Sequence, residues 1–379
     1  MWFLYMLACL PAVVGGVQWI RSQRIAGWEV LLGLAAAFLV VGVSHACALH
    51  GLTSDTETWS GQVTQVEHHP RWVEEYQEAV YRTDKDGHQQ FSHYETRHRT
   101  HPEHWLAHDT IPRTLAIDAG TYHAFATTLG GQVVTTRPHK SGFHSGDRNV
   151  YTVRNTSGTC LPTTALKHFE NRVKAAPSVF SFARVPADLQ VHPYPANGDP
   201  FHSDRLVGTA RTAMPLPAWD QLNARLGARK KVNLILVGFP GTDTQMGQWQ
   251  EAKWIGGRKN DVVLCYGGDP AKPAWTYVFG WTEAALVKRN LESLLLEQGV
   301  GVRVLPALEA EVCANYVLKD WSKFSYISVE PPGWAYVVLF LVLVVTQAGF
   351  WWWAHYNEWD KNGPRTPRLA RWGEPGWHA

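Results

Sequence analysis

The stretch that most constrains this chain is Trp334 to Ala354, WAYVVLFLVLVVTQAGFWWWA. It holds no charged residue, and about twenty apolar residues in a helix cover the roughly 30 Å of hydrocarbon in a bilayer. Pro331, Pro332 and Gly333 mark its start. Trp334 and Tyr336 stand at one end and Trp351, Trp352 and Trp353 at the other, where aromatic side chains favour the membrane interface. A buried helix of a soluble core is usually shorter and lacks such brackets. Every other segment therefore has to be placed relative to a membrane.

Two more apolar runs lie at the amino terminus. Met1 to Ile20, MWFLYMLACLPAVVGGVQWI, lacks the positively charged start of a secretory signal, and Gly27 to Leu49 follows it, interrupted only by Glu29. Transmembrane helices are expected over 1–20, 27–49 and 333–354. Pro11, Gly15 and Gly16 weaken the first as a helix but are tolerated in membrane spans. Arg21 and Arg24 fall between the first two runs, and Lys361, Arg365, Arg368 and Arg371 fall after the last, whereas His50 to Pro70 holds no Lys or Arg. By the positive-inside rule the connection and the tail, 355–379, are cytoplasmic. The amino terminus and the large region Gly51 to Pro332 are then extracytoplasmic, in a bacterium on the periplasmic side of the inner (plasma) membrane. Lys319 and Lys323 oppose this assignment. The first partner expected is the lipid bilayer.

At 379 residues the chain has room for two or three domains. Its 35 Lys and Arg balance 33 Asp and Glu and form no basic stripe interleaved with aromatics, which excludes a nucleic-acid binder. None of the five cysteines forms a CxxC pair. In an oxidising compartment Cys160 and Cys313 are candidates for one disulfide, while Cys265, within DVVLCYGG, has the surroundings of a buried small hydrophobe.

From 51 to 160 the chain reads as a β-rich extracytoplasmic module. TWSGQVTQVEHH, QQFSHYETRHRTH, TLAIDAGTYHAF and NVYTVRN alternate apolar or β-branched residues with polar ones between turn signals. WVEEYQEAVY suits a short helix or a bent strand. His93, His98, His101, His104 and His108 crowd beside Glu95, Glu103 and Asp109, a ligand set that suits zinc, copper, iron or nickel. His98, His101, His104 and His108 are the candidate ligands of a divalent metal. Pro102 opposes one helical face for them, and on a strand His101 faces away from His98 and His104. A solvated polar sheet face and a pH sensor remain open beside the metal site.

The region 161–217 reads as an amphipathic helix over Pro162 to Val173 followed by a Pro-rich linker or extended wrap. From 218 to 330 helical and strand patterns alternate: WDQLNARLGARKK, KVNLILVGF, TDTQMGQWQEAKWI, DVVLCY, AWTYVFGW and EAALVKRNLESLLLEQG, the last closed by Gly299. Such alternation indicates an α/β layer with a mostly parallel sheet covered on both faces.

The order helix, VNLILVGF, helix, WIGGRKNDVVLCYGGD, strand, long helix resembles the TPM domain of membrane-anchored bacterial and plastid proteins, over roughly Trp219 to Gly299. FENRV, WIGGRKNDVV and the KDWSKFSYI before PPGW are similar also to uncharacterised phage-encoded membrane proteins that carry this module before a last span. The resemblance implies either phosphatase activity or a role in assembly or repair. It places the family's loop at Gly256, Gly257, Arg258, Lys259, Asn260 and Asp261. Two glycines, two cations and an Asn-Asp pair at the edge of a parallel sheet suit an anion or a divalent ion. They suit a purely structural turn equally, with Asp261 bonding the turn backbone. A metal-assisted phosphatase needs several carboxylates, and Asp243 and Asp269 are the nearby candidates. No P-loop, GxSxG, HExxH or GxGxxG occurs.

The expectation is thus an α+β membrane protein with three transmembrane helices, a β-rich extracytoplasmic module and an α/β TPM-like three-layer module. Its expected role is to bind or organise other envelope proteins of a phage or bacterium. The alternatives are a tethered metal-dependent phosphoester hydrolase using Asp261, Asp243 and Asp269, and a metal or pH sensor at His93 to His108.

Overall fold

The computed structural model describes residues 27–83, 85, 87–138, 144–145, 147–176, 182, 184–196 and 199–357, with residues 6, 9 and 17. The chain is a mixed α+β protein dividing into two compact units. One comprises 1–55, 170–181 and 322–379, the other 56–169 and 182–321. Expected span 1–20 apart from residues 6, 9 and 17, the Arg21 and Arg24 connection and the basic residues of the tail lie outside the described residues.

In the first unit two helices, α1 (Gly27–Thr53) and α9 (Gly333–Asn357), are long and apolar enough to cross a membrane. Ala37 and Val41 of α1 meet Leu343 of α9 in a dry seam edged by Val40, Tyr336 and Leu339. Small residues on α1 permit this close approach, and the Gln347 amide donates to Gly33 O across the pair (3.2 Å). Outward-facing Leu31, Leu39 and Val345 are each about 70% exposed, a surface that hydrocarbon accepts and water does not.

A short segment ties these helices at their ends. Asn171 N–H donates to Thr53 O at the end of α1 (2.6 Å), and its side chain donates to Asp55 Oδ2 (2.8 Å). Its Oδ1 caps the one-turn helix α3 (Arg172–Ala175) through Lys174 N–H. Arg172 donates to Ser325 O (2.6 Å) and Ile327 O (3.2 Å), shortly before α9.

Among its described residues the second unit holds three sheets. The first strands are β1 (Ser54–His69), β2 (Trp72–Thr83), β3 (Gln89–His101), β4 (His104–Asp109) and β5 (Thr114–Ile117). After helix α2 (Ala119–Leu129) come β6 (Gln132–Pro138), β7 (His144–Ser145), β8 (Asp147–Arg154) and β9 (Pro162–Glu170). A six-stranded sheet runs β5-β4-β1-β8-β6 with β9 also on β1, and β3-β2-β7 form a separate three-stranded sheet. Val63, Val66, Ala107 and Val153 of the larger sheet pack against Tyr122 and Leu129 of α2.

Next come β10 (Leu206–Gly208), α4 (Ala210–Ala213), α5 (Leu216–Lys230), β11 (Asn233–Phe239), α6 (Gln245–Trp254), β12 (Asp261–Gly267), β13 (Trp275–Gly280), α7 (Leu286–Gln298) and α8 (Leu305–Asn315). The sheet order is β10-β11-β12-β13, parallel through the first three strands and antiparallel at the last. Side chains alternate across it. Leu234, Leu236, Val262 and Leu264 face α5, α7 and α8, while Ile235, Val237, Val263 and Cys265 face Trp254 of α6 and Tyr194 of the wrap. Both faces are therefore covered, as the continuous apolar strands require. Gly227 interrupts α5 because the helix lies against β1, where a Cβ would stand 2.4 Å from Ser60 O.

Several expectations need correction. Pro162 to Val173 is strand β9 followed by α3, not one helix: Thr163, Thr164 and Ala165 are buried while Leu166 is exposed, so the apparent helical stripe is not a core face. TLAIDAGTYHAF is strand β5 and then α2, which starts where Asp118 accepts Thr121 N–H (2.9 Å) and Thr121 Oγ1 (2.8 Å). WVEEYQEAVY, which the sequence leaves open between a short helix and a bent strand, is strand, with a bulge opposite Val80 and Tyr81. Cys160 and Cys313 are free thiols, Cys160 against Gln221 O and Cys313 beside Arg229. The wrap 182–204 carries no helix or strand among its described residues, and α6 holds it by Gln250 and Trp254, which both donate to His192 O.

Candidate functional site

The loop between α6 and β12 lies at the amino-terminal edge of the parallel sheet. Ile255, Gly256 and Gly257 take left-handed backbone conformations (φ 53°, 76° and 82°) that end α6 and turn the chain, and Trp281 Nε1 donates to Gly257 O (3.1 Å). Asp261 then closes the turn. Its Oδ2 accepts Arg258 N–H (2.9 Å), and its own N–H donates to Arg258 O (3.1 Å).

The carboxylate is fully buried and accepts three hydrogen bonds. Tyr194 OH donates to Oδ2 (2.6 Å) and Asn233 Nδ2 to Oδ1 (2.8 Å). Burial raises its pKa, and the bonds from Asn233, Tyr194 and the Arg258 backbone pull it back down. Asn233 Oδ1 accepts Arg205 Nε (2.7 Å), and the buried Arg205 guanidinium reaches Asp220 Oδ1 (3.1 Å), Ser60 Oγ (2.7 Å) and Thr164 Oγ1 (3.3 Å). Asn260 Nδ2 donates to Thr58 O (2.7 Å) and Lys231 O (3.1 Å).

One polar network therefore joins β1, β9, β11, β12 and the wrap. The loop's cations are engaged as well: Arg258 lies 4.1 Å over the Tyr194 ring, and Lys259 Nζ stands 3.8 Å from Glu57. Gly256, Gly257, Arg258, Lys259, Asn260 and Asp261 thus bind the protein's own groups. Arg205, Asp220 and Tyr194 were not singled out from sequence, because no local pattern marks them.

Asp243 and Asp269 do not join Asp261. Asn233 pairs with Asp261 at one end of the β11–β12 ladder and Phe239 with Gly267 at the other, so both aspartates follow the opposite strand ends. The length of β12, roughly 20 Å at about 3.3 Å per residue, separates them from Asp261. Each closes a local turn, Asp243 accepting Gln245 N–H and Asp269 accepting Ala271 N–H, both at 2.9 Å.

The histidine run is divided between two sheets. On β3, His98 stands 3.7 Å from Glu75, and His101 bonds Glu74 (2.8 Å) while stacking on Trp72. On β4, His104 stacks on His69, and His108 meets Thr114 Oγ1 (3.2 Å) and stands 3.5 Å from Glu67. Among the described residues no three His, Cys, Asp or Glu side chains gather closely enough to hold a metal ion. Buried His69 was missed by sequence reading. Its Nε2 bonds Glu67 (3.0 Å), its Nδ1 meets Arg148 (3.1 Å), and burial lowers its pKa.

Among the described residues two accessible surfaces bear on binding. A groove of about 460 Å³ beside edge strand β13 is lined by Tyr277, Val278, Leu286, Lys288 and Arg289, but Glu292 already occupies the strand edge by accepting Val278 N–H (2.9 Å). The other is the ribbon of β2 and β3, whose two faces differ. Glu78 with Arg97 (2.6 Å), Glu74 with His101, and Tyr76 under Arg99 occupy the charged face. Tyr81, Phe91 and Tyr94 form an aromatic group on the other, each at least half exposed, with ring separations of 6.2 and 4.9 Å.

Compared with known proteins, the chain matches no family model, no curated protein and no solved structure.

Proposed function

We propose that this chain is a membrane-anchored envelope protein of a phage or bacterium that binds other envelope proteins through its extracytoplasmic region. α1 and α9 anchor it, with 1–20 as a third span. The layer from α5 to α7 is a TPM-like module serving as scaffold, and the large region stands on the periplasmic side. The exposed aromatic group Tyr81, Phe91 and Tyr94 carries this reading, because aromatic residues in such clusters are favoured anchors of protein interfaces. In the Asp261 loop the Asp261 carboxylate and the Asn260 amide nitrogen are engaged by the protein's own groups. The separation of Asp243 and Asp269 from Asp261 removes support for the hydrolase, and the division of the histidines removes it for the metal sensor.

The test is cross-linking in expressing cells, purification in mild detergent and identification of whatever accompanies the chain in near-equal amount. A stoichiometric envelope protein is expected, and the double substitution Phe91→Ser with Tyr94→Ser should reduce its recovery at least tenfold. A solitary protein, or a partner indifferent to these substitutions, overturns the proposal. Phosphoester turnover abolished by Asp261→Ala in a chain that still folds would restore the hydrolase.

A further inference from the structure

Strand β3 is an edge of its sheet and, among the described residues, pairs only with β2. An edge of this length is a template for another strand unless something opposes pairing. Charges on β3 oppose most partners, since Glu95, Arg97 and Arg99 are all exposed. They do not oppose a second copy in one particular register.

We propose that β3 pairs antiparallel with β3 of a second copy about a two-fold axis at Thr96, joining two ribbons into one continuous sheet. In that register Thr96 faces Thr96, Glu95 faces Arg97 twice over, and Tyr94 faces His98 twice over. Opposite charges and paired threonines directly across an antiparallel ladder are favourable, and like charges there are not. Moving the axis to Glu95 sets Glu95 against Glu95, and moving it to Arg97 sets Arg97 against Arg97 while Glu95 faces Arg99, so of these three registers only that at Thr96 opposes no like charges. Arg97 is already oriented for this role. Glu78 takes its Nε (2.6 Å) and Glu95 its Nη2 (3.3 Å), and among the described residues Nη1 has no partner.

A two-fold contact of this kind is self-complementary and closes at two copies. Copies confined to one bilayer by the same spans meet at an effective concentration above that of a soluble competitor. The inference rests on the membrane anchoring proposed above and on no other partner.

Thr96→Cys in native membranes under mild oxidation should give a disulfide-linked dimer well above the background of the five native thiols, whereas Thr83→Cys, at the end of β2, should not. Glu95→Lys alone and Arg97→Glu alone should each lose at least tenfold in dimer yield. Coexpressing the two should restore it, because the introduced lysine then faces the introduced glutamate while native Arg97 faces native Glu95. Recovery on mixing also shows that each variant folds.

Absence of the Thr96→Cys dimer, equal cross-linking at Thr83→Cys, indifference to the charge substitutions, or failure of mixing to restore pairing overturns the proposal. A Thr96→Cys cross-link to a different protein also overturns it. Alkaline extraction of the same membranes reads the anchoring separately. The Phe91→Ser with Tyr94→Ser experiment reads the partner separately.

Discussion

Arg205 carries a full charge with almost no exposed surface, and Asp220, Asn233, Ser60 and Thr164 surround it. Removing one member of a buried ion pair leaves the other uncompensated, at a cost of about 3–5 kcal/mol, whereas replacing both by apolar groups is often far milder. Arg205→Met should therefore destabilise by that amount in denaturant unfolding followed by tryptophan fluorescence, and adding Asp220→Leu should recover much of the loss. If the double variant is as unstable as the sum of the singles, the two residues do not act as a pair. His69 gives a pH dependence. Burial is the largest cause of its lowered pKa, His104 and Arg148 add to it, and Glu67 opposes it, with His108 also facing Glu67. The folded protein then binds fewer protons at this site than the unfolded chain. The contribution is fully present above about pH 6.5 and declines as pH falls from there toward the folded value. The midpoint of thermal unfolding should drop between pH 7.5 and 5.5, and His69→Gln should flatten that slope; an unchanged slope excludes His69 as its source. At this scale the sequence revealed the Gly-Gly turn and the Asn260-Asp261 pair but not their partners. Tyr194 is 67 residues from Asp261 and Ser60 is 145 from Arg205, distances over which no periodicity speaks.

Among elements, those with one dominant local signal were legible. NLILVGF and DVVLCY are buried at every position and read as strands because apolar β-branched runs of that length suit a covered parallel sheet. α7 ends at Gly299 as its sequence indicated. PTTALKHFE misled because Leu166 and Phe169 imitate a helical repeat, while what fixes it as β9 is pairing with β1, a tertiary fact. The short element after it has a consequence for stability. Asn171 has three polar contacts, to Thr53 O, Asp55 and Lys174 N–H, and is 4% exposed. Asn171→Ala removes one donor to Asp55, which Lys174 still faces at 3.9 Å, and orphans Lys174 N–H, so a loss of about 1–3 kcal/mol is expected. It should appear as faster hydrogen exchange over 171–176 and at the carboxyl end of α1, with exchange in β11 and β12 unchanged. Uniform acceleration across the chain would mean that Asn171 supports the whole fold rather than this junction.

For the whole molecule, connectivity converts two apolar helices into a topological statement. If α1 and α9 both cross the bilayer, everything from Ser54 to Pro332 lies on one side, because no other described helix is long and apolar enough to cross back. The proposed side rests on the flanks. Arg21, Arg24, Lys361, Arg365, Arg368 and Arg371 gather beyond the two helices, whereas His50 to Pro70 has no Lys or Arg. A membrane-impermeant thiol reagent should therefore label Thr83→Cys in intact bacterial spheroplasts and label Arg368→Cys only after lysis. The reverse pattern would place the ribbon in the cytoplasm, and labelling of both without lysis would mean that one helix does not span. A cysteine in place of Ser22, between the first two apolar runs, should follow Arg368→Cys in either a two-span or a three-span chain. An added amino-terminal tag then decides between them. It is reached from outside if 1–20 crosses as a third span, and it shares the protection of the tail if it does not.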